Sequence, residues 1–121
     1  MKHAAENERL GRAWLDAFNR QDLEALLALY AEGCVHASPK LRAQRPETQG
    51  EVRGKAALRA WWADAFARLP TLRYQALSVT ADQDRVVLEY LRQVAGEPAL
   101  PVLELFEVRD GAIVASRVFH G

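Results

Sequence analysis

Three side chains in this 121-residue chain, His36, Ser38 and Glu104, are the candidates for a proton-transfer site. His36 and Ser38 stand two apart in "CVHAS", and in a strand residues i and i+2 share a face. Histidine is the commonest general base near neutral pH. Glu104 lies in "PVLELFEV", where Val102, Glu104, Phe106 and Val108 share one otherwise apolar face. A carboxyl group turned into such a face has its ionised form disfavoured, which raises its pKa. It then serves as acid or hydrogen-bond donor, with His36 as the base in the same cavity. The competing reading of Glu104 is a structural carboxylate paired with a buried arginine or tyrosine.

Around these groups the sequence places aromatic residues. Trp14, Trp61, Trp62, Phe66 and Phe106 are core candidates by their spacing. Trp14, Tyr30, Trp61, Trp62, Tyr90 and Phe106 are also the expected walls of a pocket for a flat, apolar small molecule. In "RVVLEYLRQV", Val86, Leu88, Tyr90, Arg92 and Val94 share a face, so an inward Tyr90 supplies a pocket hydroxyl. Arg92 reads as surface charge; the alternative, if this face is the inner one, is that it pairs with Glu104 or binds an acidic group of the substrate. His120, next to the C-terminus, reads as frayed rather than functional.

The elements that must position these residues follow from hydrophobic periodicity. Leu10, Ala13, Trp14, Ala17 and Phe18 recur at helical spacing. Asp22 caps a second helix with Leu23, Leu26, Leu27 and Tyr30 on its apolar side, and Gly33 stops it. "CVHAS" is a strand candidate, followed by a charged loop over 39–53. A third helix carries Leu58, Trp61, Trp62, Ala65, Phe66 and Leu69, with Pro70 beyond its end. "TLRYQALSVT", "RVVLEYLRQV", "PVLELFEVR" and "AIVASRVFH" then read as four strands joined by turn chemistry. The connections are too short for crossover helices, so these strands pair antiparallel. Three helices followed by an antiparallel meander define an α+β layout in one domain, 1–121.

Composition excludes several classes. The formal net charge is zero and no long basic run is present, so no nucleic-acid partner is expected. No apolar run approaches the roughly 20 residues of a membrane span. The N-terminal stretch lacks a signal-peptide h-region, and the lone Cys34 fits a reducing, cytoplasmic setting. No close-spaced pair of metal ligands, glycine-rich phosphate loop or nucleophile elbow occurs, so neither metal nor cofactor is expected.

The stretches "WLDAFNRQDLEALLALYAEGCVHASP", "GKAALRAWWADAF" and "LELFEVRDGAIVASRVF" together resemble the SnoaL-like and ketosteroid-isomerase-like branch of the nuclear transport factor 2 superfamily. The resemblance implies a cone: a curved sheet wrapped around a long helix, with an apolar pocket at one end and homodimers through the open sheet face. It also implies positions for a catalytic set. The aspartate base of ketosteroid isomerases falls at Ser38, the tyrosine near Trp14, and the protonated acid near Glu104. Serine cannot abstract a proton unaided, so His36 takes the base's role from one step down the strand.

The expected function is binding of a small apolar carbonyl compound, with proton transfer of the isomerase, cyclase or dehydratase type. The alternatives are a non-catalytic ligand-binding or sensor module, and a protein-interaction domain using the sheet face. The 39–53 loop is expected to gate the pocket. An open sheet face bearing Leu77, Val79, Leu103 and Leu105 is expected to pair two copies.

Overall fold

The computed structural model describes residues 2–121. Four α-helices, α1 (Lys2–Asn19), α2 (Leu23–Leu27), α3 (Pro39–Gln44) and α4 (Lys55–Arg68), accompany six strands. The strands are β1 (Tyr30–Ala37), β2 (Glu51–Arg53), β3 (Arg73–Ala81), β4 (Arg85–Gln93), β5 (Leu100–Arg109) and β6 (Ala112–His120). They form one sheet in the order β2-β1-β6-β5-β4-β3. The class is α+β, as the sequence indicates. The sheet is mixed rather than wholly antiparallel, because β6 returns alongside β1 and pairs with it in parallel. Among the described residues, no helix is long and apolar enough to cross a membrane.

Helix α1 lies on the concave face through Asn7, Gly11, Trp14, Leu15 and Phe18, all buried. The stripe is rotated from the expected one: Ala13 is exposed and Leu15 buried. Gly11 explains the rotation. A Cβ at that position would come within 2.9 Å of Val86 Cγ1 and 3.1 Å of Leu88 Cδ2, so the helix touches the sheet at its one side-chain-free residue. Asn19 fixes the far end of α1. Its amide accepts from Tyr74 N at 2.7 Å and donates to Tyr74 O at 2.8 Å, closing the start of β3 onto the helix.

Two local expectations are corrected. Helix α2 ends at Leu27, and Gly33 lies inside β1, because Tyr30 already pairs with Ile113 of β6. The 39–53 segment is not a structureless loop. Ser38 accepts a hydrogen bond from Leu41 N at 3.0 Å and Pro39 occupies the first turn, an N-cap arrangement that starts α3. A short 3₁₀ turn follows, and β2 then pairs with β1.

Strand alternation fills the interior. On β4 the residues Val86, Leu88 and Tyr90 are buried, and on β5 Val102, Glu104, Phe106 and Val108. Asp110 and Gly111, both at positive φ, make the tight turn that joins β5 to β6. At the centre Trp14 stacks on Phe18 (centroids 5.1 Å) and Tyr74 (5.8 Å) and meets Phe106 (5.2 Å). Tyr74 stacks in turn on Tyr90 at 4.0 Å. Aromatic rings occupy most of the space a curved sheet leaves beneath its helices.

Candidate functional site

A cavity of about 50 Å³ lies between α3, α4, the ends of β1, β4 and β6 and the starts of β3 and β5. Trp61, Trp62, Leu69, Leu72, Val102 and Val118 form its apolar wall. His36, Ser38, Tyr74 and Tyr90 give it hydroxyl and imidazole groups. Lys40, Gln44, Ala65, Arg68, Arg92 and His120 complete the lining.

His36 is 1 % exposed, and its position follows from the parallel pairing of β1 with β6, which sets it directly opposite Ser116. Its Nδ1 lies 2.7 Å from Ser116 Oγ. Its Nε2 is buried and has no protein partner. Burial pushes its pKa down to about 4, so the ring is neutral at pH 7. With the proton on Nδ1 and donated to Ser116, Nε2 presents a free lone pair. The ring of Trp62 lies 5.2 Å away, and its indole N–H is likewise buried without a partner.

Glu104 is fully buried and accepts a 2.7 Å hydrogen bond from the Tyr90 hydroxyl. Desolvation raises its pKa to about 8, against the lowering effect of that bond, so at pH 7 it is largely neutral. Its second oxygen has no partner. The structural alternative, a carboxyl paired with a tyrosine, describes this contact. Burial, then the Glu104 charge, also lifts Tyr30, Tyr74 and Tyr90 above the ordinary phenol range. Glu104, once ionised, therefore acts on all three tyrosines, second to their burial.

Glu104 and His36 do not both border the cavity. Tyr90 does, and Glu104 sits behind it. The reason is α1: Trp14 fills the cone at the depth of Glu104, with its indole N–H donating to Tyr30 Oη at 2.9 Å. Trp14, Tyr30 and Phe106 thus belong to the packed floor and not to the lining. Trp61, Trp62 and Tyr90 do line the cavity. Ser38 lines it as well, but its oxygen caps α3.

Arg92 and His120 depart from expectation. The Arg92 side chain is 11 % exposed, lines the cavity and pairs with Glu97 at 2.9 Å. It follows Tyr90 by two on the inward face of β4, which carries it into the cavity. His120 is held by pairing with Val102 of β5 and is not frayed. Sequence reasoning missed Tyr74, Lys40, Arg68 and the His36–Ser116 contact. The alternation of Leu72 and Tyr74 was the available signal for Tyr74. No local pattern marked the others.

A curved sheet closed by a helix, with a small cavity at the open end, defines a cone-type α+β domain. The sequence profile of the SnoaL-like domain family matches residues 11–116, and the chain belongs to that family. A SnoaL-like protein of unknown function from Burkholderia thailandensis is similar in structure, with 30% identity over 97% of this chain and 95% of its own and a TM-score of 0.86. Bal32a, from a soil-derived mobile gene cassette, shares 22% identity over 98% of this chain and 91% of its own, with a TM-score of 0.84. A protein with a ketosteroid isomerase-like fold from Catenulispora acidiphila, in complex with trimethylamine, shares 20% identity over 91% of this chain and 83% of its own, with a TM-score of 0.71. NTF2-like proteins are also among the similar structures. No curated protein sequence matches the chain.

Proposed function

We propose that this domain binds a small carbonyl compound in the cavity and catalyses proton transfer at the carbon next to the carbonyl. The observation that carries the reading is His36. One of its ring nitrogens is held by Ser116, and the other is buried, neutral and unpartnered at the cavity wall. Nε2 takes the proton as general base. The carbonyl oxygen, which gains negative charge as the proton leaves, is met by hydroxyl and indole donors from Tyr90, Tyr74 and Trp62. Neutral Glu104 can donate to Tyr90 and so free the Tyr90 O–H to turn towards the substrate. Glu104 is on this reading a positioning residue. Lodging of the oxygen beside these donors is also what stops a ligand from binding the other way round.

The cavity is well below the roughly 300–1,000 Å³ of sites for drug-sized ligands. This favours substrates of a few heavy atoms over steroids. The test is deuterium exchange next to the carbonyl of small cyclic and acyclic ketones, followed by NMR in D₂O. Wild type accelerates exchange; His36→Ala loses about 10²–10⁴-fold, and Tyr90→Phe loses part. Equal exchange by wild type and both variants overturns the proposal.

A second reading, a non-catalytic binding module, is favoured by Ser38, which stands at the family's base position with its oxygen engaged in a helix cap. Binding of the same ketones without exchange would establish it.

We also propose that two copies pair through the outer face of the sheet. Leu103 and Phe119 are register partners there, and with Leu77 they are the exposed large apolar side chains among the described residues. Val79 is not part of this face; it packs towards Gly11 of α1.

A further inference from the structure

The cavity is polarised. Its inner end holds His36, Tyr90 and Trp62, each at most 5 % exposed. Its more exposed polar lining is Gln44 with Lys40, Arg68, Arg92 and His120, carried by α3, α4, β4 and β6. No Asp or Glu lines it at all. In a chain with equal numbers of acidic and basic residues, this is a strong local departure.

Two of the cations, Lys40 and Arg92, act on His120. After partial burial, their positive charge helps to hold its pKa below the usual histidine value. Their existing partners leave donors free. Arg92 gives Nη1 to Glu97, and Arg68 gives Nε to Asp64 and Nη2 to Gln44. A guanidinium has five N–H groups, so each retains some. Lys40 has no carboxylate partner within salt-bridge distance among the described residues. Arg92 and Arg68 are each offset by a carboxylate, so Lys40 is the lining cation without one among the described residues, and the spare guanidinium donors remain open to an anion. Independent of the charge, the unpartnered His36 Nε2 and Trp62 Nε1 at the inner end call for a ligand with its own polar atom there.

We propose that the substrate class is a small oxo-carboxylate, with its carboxylate held at the mouth by Lys40, Arg68 and Arg92 and its carbonyl at the inner end between His36 and Tyr90. Arginine forks match planar carboxylates, and charge-assisted bonds to them set both affinity and direction of entry. The carbonyl half of this statement rests on the proton-transfer reading above; the carboxylate half rests on the mouth alone.

The experiment titrates the full chain, by calorimetry and amide NMR, with 4-oxopentanoate, its methyl ester, a phosphate of similar size and trimethylamine as the charge-reversed probe. The expected result is that 4-oxopentanoate, through its charge-assisted bonds, binds at least about tenfold tighter than its ester, and the amine not at all. The advantage shrinks with added salt, and in Lys40→Ala and Arg68→Gln, both on partly exposed positions that leave the core untouched. Equal binding of acid and ester overturns the proposal, as does failure of any carboxylate to bind at millimolar concentration. Tighter phosphate binding overturns the carboxylate assignment. Carboxylate selectivity without proton exchange leaves this inference standing and removes the catalytic reading; exchange of neutral ketones with exclusion of the acid does the reverse.

Discussion

His36 Nδ1 and Ser116 Oγ lie 2.7 Å apart, although 80 residues separate them in the chain. The contact exists because β1 and β6 pair in parallel with these two residues in register. Both are buried, and where the hydroxyl accepts, Nδ1 carries the ring proton and Nε2 the lone pair.

Replacing that hydroxyl tests its role directly. Ser116→Ala keeps the backbone pairing and removes the partner of Nδ1. The expected outcome is a mixed His36 tautomer by ¹⁵N NMR and a proton-exchange rate lowered about tenfold, the loss of one net hydrogen bond. Ser116→Thr, which restores a hydroxyl, should restore the tautomer. An unchanged tautomer in Ser116→Ala would show that Ser116 only packs.

The pH dependence of stability follows from the two buried titrating groups. Glu104 is raised from 4.5 to about 8, so its favourable neutral state is kept below pH 4.5 and lost progressively up to pH 8. His36 is lowered from 6.5 to about 4, so its contribution is full above pH 6.5 and lost as pH falls towards 4. Between about 4.5 and 6.5 the slopes oppose and cancel. From 6.5 to 8 Glu104 acts alone, which predicts a fall on the order of 2 kcal/mol at 1.36 kcal/mol per unit. Urea denaturation at a series of pH values measures it. Glu104→Gln should abolish the fall above pH 6.5. If the variant keeps the same slope, Glu104 is not its source.

The sequence made the inward face of β5 legible, including the odd placement of Glu104, because strand alternation is a local rule; on β4 alternation grouped Val86, Leu88 and Tyr90 on one face without saying that it turns inward. It also marked α1 and α4 by their apolar spacing. The 39–53 segment was misread although Ser38 and Pro39 carried a capping signature; its six-residue helix is too short to show periodicity. The His36–Ser116 contact and the cationic mouth were not legible for another reason. The first joins β1 to β6, which only the parallel return of β6 brings together, and the second gathers residues from α3, α4, β4 and β6. The depth of the cavity was hidden in the same way, since nothing local says that Trp14 fills the cone.

Gly11 tests how closely α1 sits on the sheet. Gly11→Ala gains about 1 kcal/mol of helix propensity but places a methyl 2.9 Å from Val86 Cγ1 and 3.1 Å from both Leu88 Cδ2 and Val79 Cγ1. Overpacking of this kind costs about 1–3 kcal/mol, and Val86 is β-branched and buried on a central strand, so it yields little. The variant should be less stable than wild type in urea, and Gly11→Leu much less. A stabilised Gly11→Ala would show that helix and sheet separate there without penalty.

The outer sheet face gives the last prediction. Leu103 and Phe119 lie directly opposite one another on β5 and β6, 41% and 48% exposed, and Leu77 on β3 is 51% exposed. A β-bulge between Ala76 and Ser78 leaves Leu77 without a register partner on β4, so it projects as an isolated apolar knob. The helices cover only the other face. Burying these side chains against a second copy removes apolar area from water at roughly 25 cal/mol per Å². Sedimentation equilibrium at micromolar concentration should therefore report a dimer. Leu103→Asp with Phe119→Asp should shift it to monomer, because two like charges would meet their counterparts at the interface. The core is not touched, so far-UV circular dichroism should be unchanged. A wild-type protein that sediments as a monomer at that concentration would refute pairing through this face.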